Sequence, residues 1–265
     1  MTRPGWRHFS PGSTRLPVQP QRISPSADDT ESRTATMSDS WDDIAEWWGD
    51  AVRDDPTQSD EPVAILTELI EGTRGLTIDL GCGEGQVMRL IGDAVIGTDL
   101  SIDLLEHAAS AGPVVQSSVP DLTWIRDRSF DRAVSVGLLD LLRDHETFFS
   151  SVATIVRPGG HLVVVMNHPV ATAPESEPLV DPDGEILWRW GEYLVNGSWA
   201  HPAGERTVDL VHRPMGEILT AAAQSGWMLD VMIERGPSDQ TIERFPEFRG
   251  QRNIPSLLGV RWTRS

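Results

Sequence analysis

Apolar residues along this chain recur with two periods, and the switches between them outline its elements. From Leu76 onward, short apolar runs alternate with amphipathic stretches: strand 76–80, helix 86–92, strand 94–98, helix 102–110 and strand 113–117. After a loop come a strand at Asp131–Val136, a helix over about 145–156, and a strand at His161–Met166 fed by the turn Pro158-Gly159-Gly160. Strand and helix alternating through short links imply a parallel sheet with right-handed crossovers and helices on both faces. Such a doubly wound α/β sheet binds its ligands beyond the carboxyl ends of its strands. Gly81 to Gly85, Asp99, Ser118, Val136-Gly137 and Asn167-His168 all fall at those ends.

The flanks of this unit read differently. Ser40 suits a helix N-cap, and Trp41, Ile44, Ala45 and Trp48 share one face at helical spacing, either packing on the core edge or closing a pocket. Glu61–Ile70 is amphipathic, with Pro62 in its first turn. Beyond Pro169 the alternation stops, and about 170–210 reads as a cap insertion. Its stretch Ile186–Trp199 is extended and aromatic-rich, ends in the turn Asn196-Gly197, and is followed by a further cap strand at Val208–Arg213. Trp188, Trp190, Tyr193 and Trp199 suggest an apolar or flat substrate, or packing of the insertion on the sheet. A helix at Met215–Ser225, ended by Gly226, and strands at Trp227–Glu234 and Leu257–Trp262 complete the chain.

The richest stretch is Thr77-Ile78-Asp79-Leu80-Gly81-Cys82-Gly83-Glu84-Gly85, a buried strand running into three alternating glycines and then a helix. Without Cβ atoms the glycines allow a ligand to lie against the main chain, and the helix end offers free N–H groups. The spacing is G-x-G-x-G, lacking the glycine three residues after Gly83 that a dinucleotide site uses at the pyrophosphate, so a pyrophosphate is disfavoured. The second strand ends in Asp99, about where such folds place a carboxylate on ribose hydroxyls. A plain strand-to-helix turn would need one glycine rather than three.

Asp79–Gly85, Gly97-Thr98-Asp99-Leu100-Ser101, Ser129-Phe130-Asp131 and Arg157-Pro158-Gly159-Gly160 resemble, in order and spacing, successive motifs of the class I S-adenosylmethionine-dependent methyltransferases. The resemblance runs from roughly residue 41 to the C-terminus. It implies a mostly parallel, seven-stranded Rossmann-like sheet whose last two strands form an antiparallel edge. It implies S-adenosylmethionine as cofactor, with Asp79 and the loop of Gly81, Cys82, Gly83 and Gly85 holding the methionine end. Asp99 would hold the ribose, with Leu100 and Val136 beside it. Where the family usually has an aspartate near the adenine, this chain has Ser118, a weaker, uncharged acceptor.

Composition narrows the partners. At 265 residues the chain suits one large α/β domain, with 39–265 as the methyltransferase domain. The net charge of −18 argues against nucleic acid, whose binding depends on neutralising phosphates. A small-molecule acceptor is therefore expected ahead of tRNA, with a non-catalytic cofactor-binding protein as the reading from another class. The oligomeric state is left open. The single cysteine, Cys82, excludes an intrachain disulfide and a thiolate metal cluster, and suits the cytoplasm. Its place in the loop is that of a small residue tolerated beside a ligand. No run of 18 apolar residues is present.

Residues 1–38 are rich in Pro, Ser, Thr and Arg and carry no hydrophobic period, so they are expected to be disordered. They read as a flexible arm, as a segment upstream of a start at Met37, or as a transit peptide. Among titratable groups His168, just past the fifth strand, is the candidate base, with His212 and His201 behind it in the cap; a turn histidine bonding to backbone is the alternative. No metal-ligand spacing and no nucleophile elbow occur, so no metal site is expected.

Overall fold

A computed structural model describes residues 41–42, 60–92, 94–203 and 206–265. The expected disorder of 1–38, the Ser40 cap and the face shared by Ile44, Ala45 and Trp48 lie outside the described residues; Trp41 and Asp42 are helical. Helix α1 (Asp60–Ile70) precedes β1 (Thr77–Leu80), α2 (Gln86–Ile91), β2 (Val95–Asp99), α3 (Ile102–Ala108) and β3 (Val114–Gln116). Then come β4 (Phe130–Val136), a 3-10 turn at Leu139–Leu141, α4 (His145–Ile155) and β5 (Val156–Asn167). The insertion holds α5 (Pro169–Thr172) and two hairpins, β6 (Glu177–Val180) with β7 (Ile186–Arg189) and β8 (Gly197–Ala203) with β9 (Arg206–His212). Helix α6 (Met215–Gln224), β10 (Trp227–Arg235), α7 (Asp239–Arg244) and β11 (Leu257–Arg264) close the chain.

The seven-stranded sheet has the order β10-β11-β5-β4-β1-β2-β3. The five strands from β5 to β3 pair in parallel, while β11 runs antiparallel to both β5 and β10. Strand order reverses beside β1, so the carboxyl ends of β1, β2 and β4 open onto one crevice. The central strands are continuous apolar runs because helices cover both faces. On one face Ile65, Leu66 and Leu69 of α1 pack on Val134, Val163 and Val165. On the other, Phe148, Phe149 and Val152 of α4 pack with Ile218 and Ala222 of α6 over Ala133, Leu162, Val164 and Trp262. Each large buried side chain contributes about 1.5–3 kcal/mol of transfer free energy.

Two segments depart from the expected boundaries. Strand β5 begins at Val156 and absorbs the Arg157–Gly160 turn, with an irregularity in its register opposite Phe130 and Arg132. The expected extended run 186–199 is broken between two hairpins. Gly191 turns the chain at φ +60°, and a Cβ there would stand 2.1 Å from the Pro174 carbonyl oxygen. The same oxygen accepts the Glu192 N–H at 2.8 Å.

Candidate functional site

At the switch point two compartments share Gly81, Gly83, Val136 and Gly137. One has Asp99, Leu100, Ser117, Ser118, Leu138 and Trp41 among its walls. The other runs from Cys82, Glu84 and Gln86 of the loop to Pro62, Met166 and Asn167.

The loop takes the shape its glycines permit. Gly81, Gly83 and Gly85 all have positive φ, at 72°, 52° and 87°. A Cβ at Gly85 would stand 3.0 Å from the Ala108 Cα, so the loop also packs closely against α3. Asp99 ties down its middle: Oδ2 accepts the Gly83 N–H at 2.9 Å and Oδ1 accepts the Ser101 N–H at 3.0 Å. Burial raises the Asp99 pKa, and backbone N–H groups of Ser101, Gly83 and Leu100 counteract that. A carboxylate has about four lone-pair positions, so acceptor capacity remains for a further hydroxyl.

Asp79 stands behind the loop, only 1% exposed, and does not reach the wall of either compartment. Burial, with Asp99 adding to it, pushes its pKa up to about 8. Its Oδ2 is buried with no hydrogen-bond partner among the described residues. A buried, unpartnered carboxylate oxygen is costly unless something supplies a donor or a positive charge. The ammonium group of a methionine moiety across the loop would supply that charge. These residues therefore fit the cofactor that the motifs imply.

The remaining expected site residues are sorted by the structure. Cys82 is buried, and burial beside Asp79 and Asp99 pushes its thiol pKa up, which leaves it a small wall residue rather than a nucleophile. Ser117 is engaged internally, accepting from Trp124 Nε1 at 2.9 Å and donating to the Asp121 carbonyl at 3.3 Å. Ser118 beside it lines the Asp99 compartment. Leu100 and Val136 are wall residues, whereas Gly85 is not.

His168, the expected candidate base, is engaged in structural hydrogen bonds. His168 is buried and caps α5: Nδ1 accepts the Val170 N–H at 3.1 Å, which leaves Nε2 as donor to Glu234 Oε1 at 2.8 Å. Burial lowers its pKa, and the ring lines neither compartment. His212 is likewise committed, to Thr172 Oγ1 at 3.1 Å and the Tyr193 carbonyl at 2.8 Å. The side chain of His201 lies outside the described residues.

Sequence reasoning missed Asp140, which follows β4 at 1% exposure. Its Oδ2 accepts both the Asn167 backbone N–H and side-chain Nδ2, each at 2.9 Å, while Oδ1 has no partner among the described residues. Burial pushes its pKa up to about 7, against the opposing pull of the two Asn167 bonds. The available signal was one acid in the apolar run Leu138-Leu139-Asp140-Leu141-Leu142. No group of three or more potential metal ligands exists among the described residues.

Comparison with known proteins agrees with this geometry. Residues 78–164 match the family model for a methyltransferase domain, covering the strands that carry Asp79, Asp99 and Val136. The likeness is to S-adenosylmethionine-dependent methyltransferases. A crystal structure of an S-adenosylmethionine-dependent methyltransferase from Mesorhizobium loti is 29% identical, with TM-score 0.68 over 79% of this chain and 100% of that one. A ubiquinone biosynthesis O-methyltransferase of Cupriavidus pinatubonensis is 31% identical over 136 residues, 44% of this chain. That match spans about half of the curated relative, 52% of its length. A DhpI–SAH complex shares the fold at 19% identity and TM-score 0.55, over 89% of this chain and 98% of that one.

Proposed function

We propose that this protein transfers a methyl group from S-adenosylmethionine to a small-molecule acceptor. The observation that carries the reading is the pair of adjoining compartments around the glycine loop, backed by a buried, unpartnered Asp79 oxygen. In this reading Asp79 acts from behind the glycine loop, where its charge favours the cofactor's ammonium, and Asp99 accepts from the ribose. Ser118 meets the adenine edge, and Leu100, Leu104 and Leu138 supply apolar walls. The compartment toward Pro62, Met166 and Leu257 is left for the acceptor.

When bound, the cofactor supplies an electrophilic methyl group: the sulfur keeps the electron pair of the broken C–S bond, and an acceptor heteroatom provides the pair for the new bond and sheds any proton it carried. The protein's part is alignment and exclusion of water, which supply much of the acceleration for such a displacement. His168 and His212 are both committed to structural bonds, so neither is assigned as a base for the acceptor's proton.

The hairpins of 170–210 are assigned to acceptor selection. Strand β9 packs on the 3-10 turn Leu139–Leu141, next to wall residues Leu138 and Leu142. No residue of the two hairpins lines either compartment among the described residues, so their part is to close over a bound acceptor. Trp190, 60% exposed and edge-on to Tyr193, and Leu194, 81% exposed, would be covered by that closure.

The acidic composition favours small molecules over nucleic acid as acceptors. No described helix is long and apolar enough to cross a membrane, and the lone cysteine suits a cytoplasmic setting. Incubating the protein with methyl-labelled cofactor and a metabolite extract tests the assignment. Label in a small extractable product is expected; label only in tRNA would favour the nucleic-acid alternative. No transfer despite cofactor binding would favour a non-catalytic role.

A further inference from the structure

One polar side chain in the acceptor compartment is oriented from behind. Asn167, the last residue of β5, lines the wall next to Met166 and Val165. Its Nδ2 donates to Asp140 Oδ2 at 2.9 Å, and its backbone N–H donates to the same oxygen at 2.9 Å. Because Oδ2 already accepts a backbone N–H, it is an acceptor in either protonation state of Asp140, so Asp140 decides which way the amide is turned: nitrogen toward Asp140, carbonyl oxygen away from it. Asp140 is itself held within the 3-10 turn after β4 and is shut off from solvent. Oδ1 of Asn167 accepts no hydrogen bond among the described residues, and a polar atom at a ligand wall selects for the complementary group.

Charge at the same site narrows the choice further. The acidic residues among the described walls of the two compartments are Glu84 and Asp99. No Arg or His stands in either wall among the described residues. An anionic acceptor would enter a field of its own sign with no guanidinium to receive it, a penalty that grows as water is excluded.

We propose that Asn167, positioned by Asp140, recognises the acceptor through its side-chain carbonyl, and that the acceptor is a neutral or cationic molecule presenting an O–H or N–H group. Carboxylates and phosphates are excluded. This assignment rests on the methyltransferase reading above and specifies its substrate class.

Amide chemical shifts of isotope-labelled protein saturated with S-adenosylhomocysteine test it, using benzylamine, benzyl alcohol and benzoate as probes on one skeleton. Benzylamine and benzyl alcohol are expected to shift resonances around Gly137 and Val165–Asn167, and benzoate to bind at least tenfold more weakly. Asn167→Ala should raise the dissociation constants of the two donor probes about threefold to tenfold, the range of one hydrogen bond, while S-adenosylhomocysteine affinity stays within threefold. Asp140→Ala should reproduce that loss, and Asp140→Asn should restore wild-type binding, because its amide oxygen can still accept both Asn167 bonds. A melting curve checks that each variant folds, and Asn167→Ala alone carries the test if Asp140→Ala does not. Benzoate binding as tightly as benzylamine, donor probes unaffected by Asn167→Ala, or neither donor probe binding the complex would each overturn the assignment. Failure of the wild type to take up S-adenosylhomocysteine would overturn the methyltransferase reading, and this assignment with it.

Discussion

Asp99 Oδ2 accepts the backbone N–H of Gly83 at 2.9 Å, so a carboxylate at the end of the second strand holds the middle of the glycine loop that follows the first. One side chain thus shapes the loop and presents its remaining acceptor positions to the crevice. Asp99→Ala removes both contributions. It is expected to weaken S-adenosylhomocysteine binding by about 1.5–3 kcal/mol, the range for a hydrogen bond to a charged group. Calorimetry on the purified variant measures this, with a thermal melt to show that the fold persists. Wild-type affinity in the variant would refute the ribose assignment.

Asp79 predicts a pH dependence of definite sign. Its pKa near 8 in the free fold lies far above the ordinary carboxylate value of about 3.9, so the folded state holds a proton that the unfolded chain has released. Stability of the free protein therefore falls as pH rises from about 4 to about 8, and Asp140, near 7, adds to the slope over the lower part of that window. A bound ammonium favours ionised Asp79, so cofactor affinity should rise with pH up to about 8, by at most tenfold per pH unit, with a proton released on binding. Calorimetry at pH 6, 7 and 8 in buffers of different ionisation enthalpy measures both quantities. Asp79→Asn should flatten the profile; a flat profile in the wild type would contradict the assignment.

Gly83 has φ +52°, in the left-handed region where a β-branched side chain is strained, and it lines both compartments. Gly83→Val should abolish detectable cofactor binding through the loop conformation and the blocked wall together. Gly85→Ala, at φ +87° and pressed on Ala108, should cost stability by about 1–3 kcal/mol as well. Denaturant midpoints separate the two effects.

The alternating core was legible because buried parallel strands are continuous apolar runs and their helices carry the other period. Thr77–Leu80, Val95–Asp99 and Phe130–Val136 fall within one or two residues of where the pattern put them. The path of the insertion was not legible. The run Ile186–Trp199 has strand composition throughout, and what breaks it is a backbone bond from Glu192 to Pro174, a tertiary contact. The surroundings of His168 were not legible for a related reason: its ring caps α5 and meets Glu234 from β10, a partner 66 residues away. Asp140 stayed hidden inside an apolar run, since its partner lies 27 residues away. Helix α7 and the 3-10 turn at Pro246–Phe248 carried no period that singled them out.

The hairpins should matter to turnover more than to the cofactor. Trp188 sits on β7 and Trp190 just beyond it, and neither lines the cofactor compartments. Truncating both to Ala is expected to leave S-adenosylhomocysteine affinity within about threefold, less than ~0.7 kcal/mol, while impairing turnover of the true acceptor. Joint loss of cofactor affinity and thermal stability would mark the hairpins as core elements and end the closure reading.

Titration calorimetry of the unmodified protein with S-adenosylmethionine, S-adenosylhomocysteine and NAD bears most directly on the whole account. Both sulfur ligands are expected to bind at one site per chain, with no comparable heat from NAD, because the loop lacks the third glycine of a pyrophosphate site. Preference for NAD, or no binding of either sulfur ligand, would contradict it.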